Sequence, residues 1–175
     1  MGNVHIIITG GTIDSVWSGA HDTVIVSEHS TLPQYFEELG KNLKFPAKFT
    51  FTEVCMKDSR QIAEEDRKNV LRTIEESKTT KILITHGTYT MPDTARYIKK
   101  NLERKDKIIV LTGSMVPIKG FYFSDGPFNL GFAIAMLEKL DPGVYVCMNA
   151  KAFTPEEVAK NIQEGKFYSI FEDKQ

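Results

Sequence analysis

A chain of 175 residues is one domain's worth at roughly 150 residues per domain, and its 41% apolar and 26% charged residues exclude a disordered tract, a collagen or a coiled coil. Lys plus Arg (22) nearly balances Asp plus Glu (23), and a net charge of −1 excludes the basic excess of a nucleic-acid binder and any drive towards anionic membranes. The longest apolar runs, such as Ile6–Ile8 and Ile108–Leu111, are far too short to span a bilayer.

The N-terminal residues Met1 to Ile6 show no basic region followed by a long apolar stretch, so no signal peptide is read and a cytoplasmic protein is expected. The first strand is predicted at Val4–Thr9. The stretch 14–30 has no periodicity; it reads as a lid or binding loop, or as a surface loop in which Val24–Val26 forms half a hairpin. Leu32, Tyr35, Phe36 and Leu39 stand at i, i+3, i+4 and i+7, a helix closed by Gly40. A strand follows at Lys48–Cys55. Residues 61–77 place Ile62, Val70, Leu71 and Ile74 on one side of a charged helix, and the next strand is Lys81–Thr85. Ala95, Ile98 and Leu102 mark a third helix. The basic run Lys99, Lys100, Arg104, Lys105 and Lys107 is offset by Glu103 and Asp106 and reads as a solvated face.

Strands at Lys107–Leu111 and Val144–Met148 flank a helix at 126–140 that is apolar nearly all round, so that helix should be buried. Thr154-Pro155-Glu156-Glu157 has the form of a capping box with Pro at the first helical position, which predicts a helix carrying Lys160. Cys55 and Cys147 sit in apolar strand-like segments without metal spacing and read as reduced core thiols. Short apolar strands alternating with helices imply an α/β fold: a parallel sheet with helices on both faces, in three layers, as one domain over 1–175. No metal and no cofactor is expected.

Three strands end in the same way. Ile6 to Thr9 runs into Gly10-Gly11-Thr12, Ile82 to Thr85 into His86-Gly87-Thr88, and Ile109 to Thr112 into Gly113-Ser114. Ligands of open parallel sheets bind beyond the carboxyl ends of the strands. Glycine there lets backbone approach a ligand, and free N–H groups at such turns donate to anions or oxyanions. Phosphate is a weaker reading, because neither GxxxxGK[ST] nor GxGxxG is present. His86 reads as a satisfied core histidine. A threonine hydroxyl needs a base to become a nucleophile, and Lys160 is a candidate; as a helical residue it would equally pair with Glu156 or Glu164.

Thr9-Gly10-Gly11-Thr12-Ile13, Asp58-Ser59, Thr85-His86-Gly87-Thr88, Leu111-Thr112-Gly113-Ser114-Met115 and Asp125-Gly126-Pro127-Phe128-Asn129-Leu130 together resemble the bacterial-type L-asparaginase family, in the family's order. The resemblance covers nearly the whole chain but only the family's N-terminal catalytic domain, of flavodoxin-like architecture, so a short form lacking the C-terminal domain is expected. It implies Thr12 as the nucleophile on a side-chain amide and Thr88 as the second catalytic threonine. By the same resemblance Lys160 is the base acting through Thr88, and Ser59 holds the substrate α-carboxylate. Gly11, Asp58, Gly87, Tyr89 and Ser114 complete the expected substrate site.

Two departures stand out. Tyr89 occupies the place of the family's aspartate, which binds the substrate ammonium. The 14–30 loop has no tyrosine, with Thr23 at the best-matching position. The expected function is hydrolysis of asparagine or a related small amide, in a homodimer or higher homo-oligomer, with no nucleic-acid or membrane partner. The competing readings are a non-catalytic amino-acid or amide binder, and a glutaminase-like subunit that feeds ammonia to a partner.

Overall fold

Apolar strands that read as buried on both faces pair side by side in the computed structural model, which describes residues 2–45 and 47–171. Met1, Pro46 and residues 172–175 of the unit expected over 1–175 lie outside the described residues. In chain order the elements are β1 (Val4–Gly10), a 3-10 turn (Thr12–Asp14), β2 (Ser15–Ser18), β3 (Thr23–Val26), α1 (Leu32–Asn42) and β4 (Phe49–Lys57). A second 3-10 turn (Ser59–Gln61) leads to α2 (Glu64–Glu76), β5 (Lys81–Thr85), α3 (Met91–Asn101), β6 (Ile108–Thr112) and α4 (Gly126–Met136). The chain continues with β7 (Gly143–Met148), β8 (Lys151–Phe153), β9 (Val158–Asn161) and β10 (Lys166–Ser169).

The main sheet has the order β4-β1-β5-β6-β7-β8. All its pairings are parallel except β7 with β8, which the tight turn at Asn149 and Ala150 joins as a hairpin. Both turn residues have positive φ (55° and 60°), the conformation that a two-residue hairpin loop requires. Side chains alternate across the sheet. Ile7, Ile82, Ile84 and Leu111 pack with Val70 and Ile74 of α2 and with Ala95 and Ile98 of α3. Ile6, Ile8, Leu83 and Val110 pack on the other face with Leu32 and Phe36 of α1 and with Leu130 and Ala133 of α4. The three-layer α/β expectation is met. Cys55 and Cys147 are both free, and burial pushes the Cys147 thiol up to about 12. Among the described residues no helix is long and apolar enough to cross a membrane.

Three expectations need correction. The helix predicted from Thr154 makes only one turn. Glu157 Oε1 does accept the Thr154 N–H, half of the capping box, but Glu157 Oε2 accepts the Ser169 hydroxyl and Glu157 O accepts Ile170 N–H. Pairing with β10 therefore overrides the local signal, and Lys160 lies on a strand opposite Phe167 rather than on a helix beside Glu156 and Glu164. Lys107 is no part of a solvated face: it is fully buried, and its Nζ donates to Ser77 O and Thr79 O at 2.6 Å each. The helix expected at 126–140 is α4, and its burial is not all round, because Phe128, Gly131 and Ala135 face outward. Of the two readings of the 14–30 stretch, the one with Val24–Val26 as half a hairpin holds: Ser15–Ser18 and Thr23–Val26 form an antiparallel hairpin.

Candidate functional site

The carboxyl ends of β1, β4, β5 and β6 meet with almost no side chain between them. Gly11 has φ 83° and ψ −172°, a region essentially reserved for glycine. A Cβ there would collide with the Cα and N of Gly87. A Cβ on Gly87 would lie 2.7 Å from Ser59 Cβ, and one on Gly113 would collide with the His86 carbonyl. Gly11 is thus stacked backbone against backbone on Gly87, and the Ser59 side chain packs against Gly87. That stacking brings the residues after the two glycines, Thr12 and Thr88, to the same rim.

Thr12 is half-buried, and its hydroxyl has no partner among the described residues. Thr88 is buried, and Lys160 Nζ approaches its Oγ1 at 2.7 Å. Lys160 has no carboxylate partner among the described residues, and burial holds its pKa below the ordinary lysine value. β9 can present it there because Val158 is in the core and its carbonyl accepts from Arg96 at 2.6 Å. The Tyr89 ring lies under two cations, with Lys160 Nζ 4.6 Å and Arg60 Cζ 5.2 Å from its centroid. Cation–ring attraction fixes the ring between them.

Ser59 Oγ accepts Tyr89 N–H at 3.2 Å, and Ser59 O accepts the Thr90 hydroxyl at 2.7 Å. The Ser59 hydroxyl proton has no described acceptor. Ser114 is buried and its hydroxyl has no partner among the described residues, an unusual state for a buried polar group. Of the site residues expected from sequence, Gly11, Ser59, Gly87, Thr88, Tyr89 and Lys160 are linked by these contacts, and Thr12 follows Gly11 in the chain. Ser114 follows Gly113 at the end of β6. Asp58 is adjacent in sequence, but its carboxylate is turned to Arg60, which donates to Oδ1 from N and Nε at 2.8 and 2.9 Å and to Oδ2 at 2.8 Å. That contact holds the Asp58 carboxyl below its ordinary pKa.

The residues that frame the rim were not legible as such. Asp125 accepts N–H bonds from Met115 and Val116, and Asn129 Nδ2 donates to Gly113 O, so the start of α4 clamps the loop after β6. Lys57 Nζ binds both oxygens of Asp66, while Lys57 O accepts Gly11 N–H. His86 is buried with Nε2 2.9 Å from Thr94 Oγ1, and burial pushes its pKa down to about 4, as for a core histidine.

Asp14 closes the base of the β2–β3 hairpin. Its Oδ1 accepts the Ser30 hydroxyl and Thr31 N–H, its carbonyl accepts Ser27 N–H, and its Oδ2 is buried without a partner among the described residues. Burial raises its pKa from 3.8 to about 6 against the opposing effect of those hydrogen bonds. The folded chain therefore holds this proton more tightly than the unfolded chain. The contribution favours folding below about pH 4 and is lost as pH rises through about 6, a change of about 3 kcal/mol. Asp14→Asn is expected to lose this pH-dependent term. In urea denaturation at pH 4.5 and 7.5, the difference in stability between the two proteins should move in the variant's favour at the higher pH. An unchanged difference would mean that Asp14 titrates normally.

The strand-end segments lie within a region, residues 3–167, matched by a family model described as "Asparaginase, N-terminal". The glutaminase-asparaginase of Acinetobacter glutaminasificans is 29% identical over 167 residues, which are 91% of this chain and 50% of that protein. An L-asparaginase of Thermococcus kodakarensis is 31% identical over 157 residues, covering 89% of this chain and 46% of that protein. The solved structure of the thermostable L-asparaginase from Thermococcus kodakarensis superposes with a TM-score of 0.79 at 30% identity, covering 97% of this chain and 51% of that one. The chain spans about half the length of the curated relatives it matches.

Proposed function

Because the chain belongs to the asparaginase family, over the region of that family's N-terminal domain, we propose that it is an amidohydrolase that releases ammonia from a small primary amide through a threonine nucleophile. The observation that carries the reading is the 2.7 Å contact of Lys160 Nζ with Thr88 Oγ1, by a lysine without a counter-ion among the described residues, at the rim where Gly11 and Gly87 touch. Desolvation favours the neutral amine, which accepts a proton across the same contact.

In this reading the Thr12 hydroxyl attacks the amide carbon, and its proton passes to Lys160 by way of Thr88. The N–H groups of Thr12 and Thr88, which donate to no described residue, are suited to the developing oxyanion. The carbon–nitrogen bond then breaks, the proton is returned to the leaving nitrogen, and ammonia departs from a Thr12 ester. Water attacks that ester, again deprotonated through Thr88 and Lys160, to give the carboxylate and free Thr12. The sum is one amide and one water to one carboxylate and one ammonium. The Ser59 hydroxyl, whose proton has no described acceptor, is suited to donate to a substrate carboxylate.

A homo-oligomer, most simply a dimer, belongs to the same proposal. It would cover the rim and the outward apolar residues, among them Trp17 and Phe128. Ammonia release from asparagine, glutamine and simple primary amides, with light scattering of the same sample, tests both parts. No release from any amide would leave a binding module; full release from a monomer would remove the oligomer.

A further inference from the structure

The contact between Lys160 and Thr88 joins residues 72 positions apart. Thr88 lies in the loop between β5 and α3. Lys160 lies on β9, which pairs with β10 in a two-stranded sheet separate from the six-stranded one. No strand ladder therefore fixes Lys160 relative to Thr88. Side-chain contacts have to set that distance.

The helix that follows Thr88 supplies them. Thr90, two residues after Thr88, is the N-cap of α3. In the second turn of α3, Arg96 donates from Nη2 to Val158 O at 2.6 Å, two residues before Lys160. Its Nη1 donates to Asp93 Oδ1 at 3.2 Å, one turn back on the same helix. The planar guanidinium thus serves a helix carboxylate and a strand carbonyl at once, which a single ammonium point does less well. Ala95 and Ile98 of α3 share an apolar cluster with Val158 and Phe167 of the β9–β10 hairpin. Apolar burial is non-directional, whereas a hydrogen bond to one main-chain carbonyl fixes a strand along its own axis. Lys99 also meets Glu156 at 2.8 Å, but both side chains are half exposed, and such a pair holds little. One rigid helix therefore follows directly on Thr88 and grips the strand that carries Lys160.

We propose that Arg96 is a positioning residue for Lys160: through Val158 O it holds β9 at the place where Lys160 Nζ meets Thr88 Oγ1. Arg96 acts through the strand and has no described contact with Thr12, Thr88 or Lys160. Its effect on the rate rests on the hydrolase reading above. Its effect on Lys160 does not, because the placement of the amine can be read without turnover.

The test is Arg96→Met in the full chain. The side chain of Arg96 is 44% exposed and methionine is a good helix former, so the fold should hold, as the urea midpoint will show. The first readout is the pH dependence of acetylation of each lysine by acetic anhydride, followed by peptide mass spectrometry. In the wild type Lys160 should titrate below the exposed lysines, because it is partly buried against the rim. In Arg96→Met it should titrate with them. The second readout is ammonia release: kcat should fall at least roughly tenfold with KM nearly unchanged, because a displaced base slows the chemical step and leaves the binding groups in place. Lys99→Met, which removes only the half-exposed pair with Glu156, should leave both readouts as in the wild type. An unchanged Lys160 titration in folded Arg96→Met overturns the proposal, and so does an equal effect of Lys99→Met. If the titration moves and kcat does not, the positioning stands and the role of Lys160 as the base falls. If the wild type hydrolyses no amide, the hydrolase reading falls and the acetylation profile alone decides the positioning.

Discussion

Thr12→Ala is expected to lower ammonia release at least roughly a thousandfold while leaving the fold in place. The size of the loss follows from what a nucleophile does. Without the hydroxyl no covalent ester forms, and what remains is the contribution of binding and oxyanion donors to direct attack by water. The intact fold follows from the local contacts. The close packing at this point is between Gly11 and Gly87, neither of which changes, and the Thr12 hydroxyl holds no described residue. A change of less than about 1 kcal/mol in stability is expected for removing a half-buried hydroxyl that holds nothing. The measurement is ammonia release by the purified variant beside its urea midpoint. Wild-type release by a folded Thr12→Ala protein would mean that the hydroxyl is not the nucleophile. A second threonine, Thr88, would then be the next residue to test.

The sheet was legible because its central strands are buried on both faces and so appear as continuous apolar runs. The glycines after Thr9, Thr85 and Thr112 marked where backbone approaches backbone, and Gly11 against Gly87 is that approach. Helices α1, α2 and α3 were legible through one apolar stripe each. The sequence places Lys160 on the wrong element because Thr154 to Glu157 is a genuine turn signal over four residues. What decides the structure there is a ladder with Lys166–Ser169, and that pairing is invisible to a local pattern. The signals that marked the hairpin were Asn161, whose side chain accepts Gln163 and Glu164 N–H, and Gly165 with φ 64°. Lys107 misleads because a buried lysine that serves two carbonyls looks, in sequence, like one more charge in a basic run. The position of Arg60 over Tyr89 had no sequence signal. It depends on the Asp58 carboxylate turning back on its own 3-10 turn, and on β4 and β5 both ending beside that turn.

Thr88→Val and Lys160→Met are each expected to lower ammonia release by roughly a hundred- to ten-thousandfold, the usual range for removing a positioned proton carrier. The double variant should be hardly worse than the poorer single one. The reason is the 2.7 Å contact: if the proton of the attacking group travels through the Thr88 hydroxyl to the Lys160 amine, breaking either link stops the same transfer, and the second substitution has little left to remove. Both substitutions conserve size. Valine keeps the branched shape of a buried threonine, and methionine keeps an unbranched stem under the Tyr89 ring.

The pH profile supplies a second readout that a merely structural role would not move. Burial lowers the Lys160 pKa, and the base must be unprotonated to act. The wild-type rate should therefore rise with pH as Lys160 loses its proton, at a pH below the ordinary lysine value. Lys160→Met should lose that limb and leave a flat residual rate. Losses that multiply in the double variant would show the two groups acting independently, with Thr88 positioning the substrate and Lys160 serving a separate step. A rising limb that persists in Lys160→Met would assign the titrating base elsewhere, and the contact with Thr88 would then be a matter of packing rather than of proton transfer.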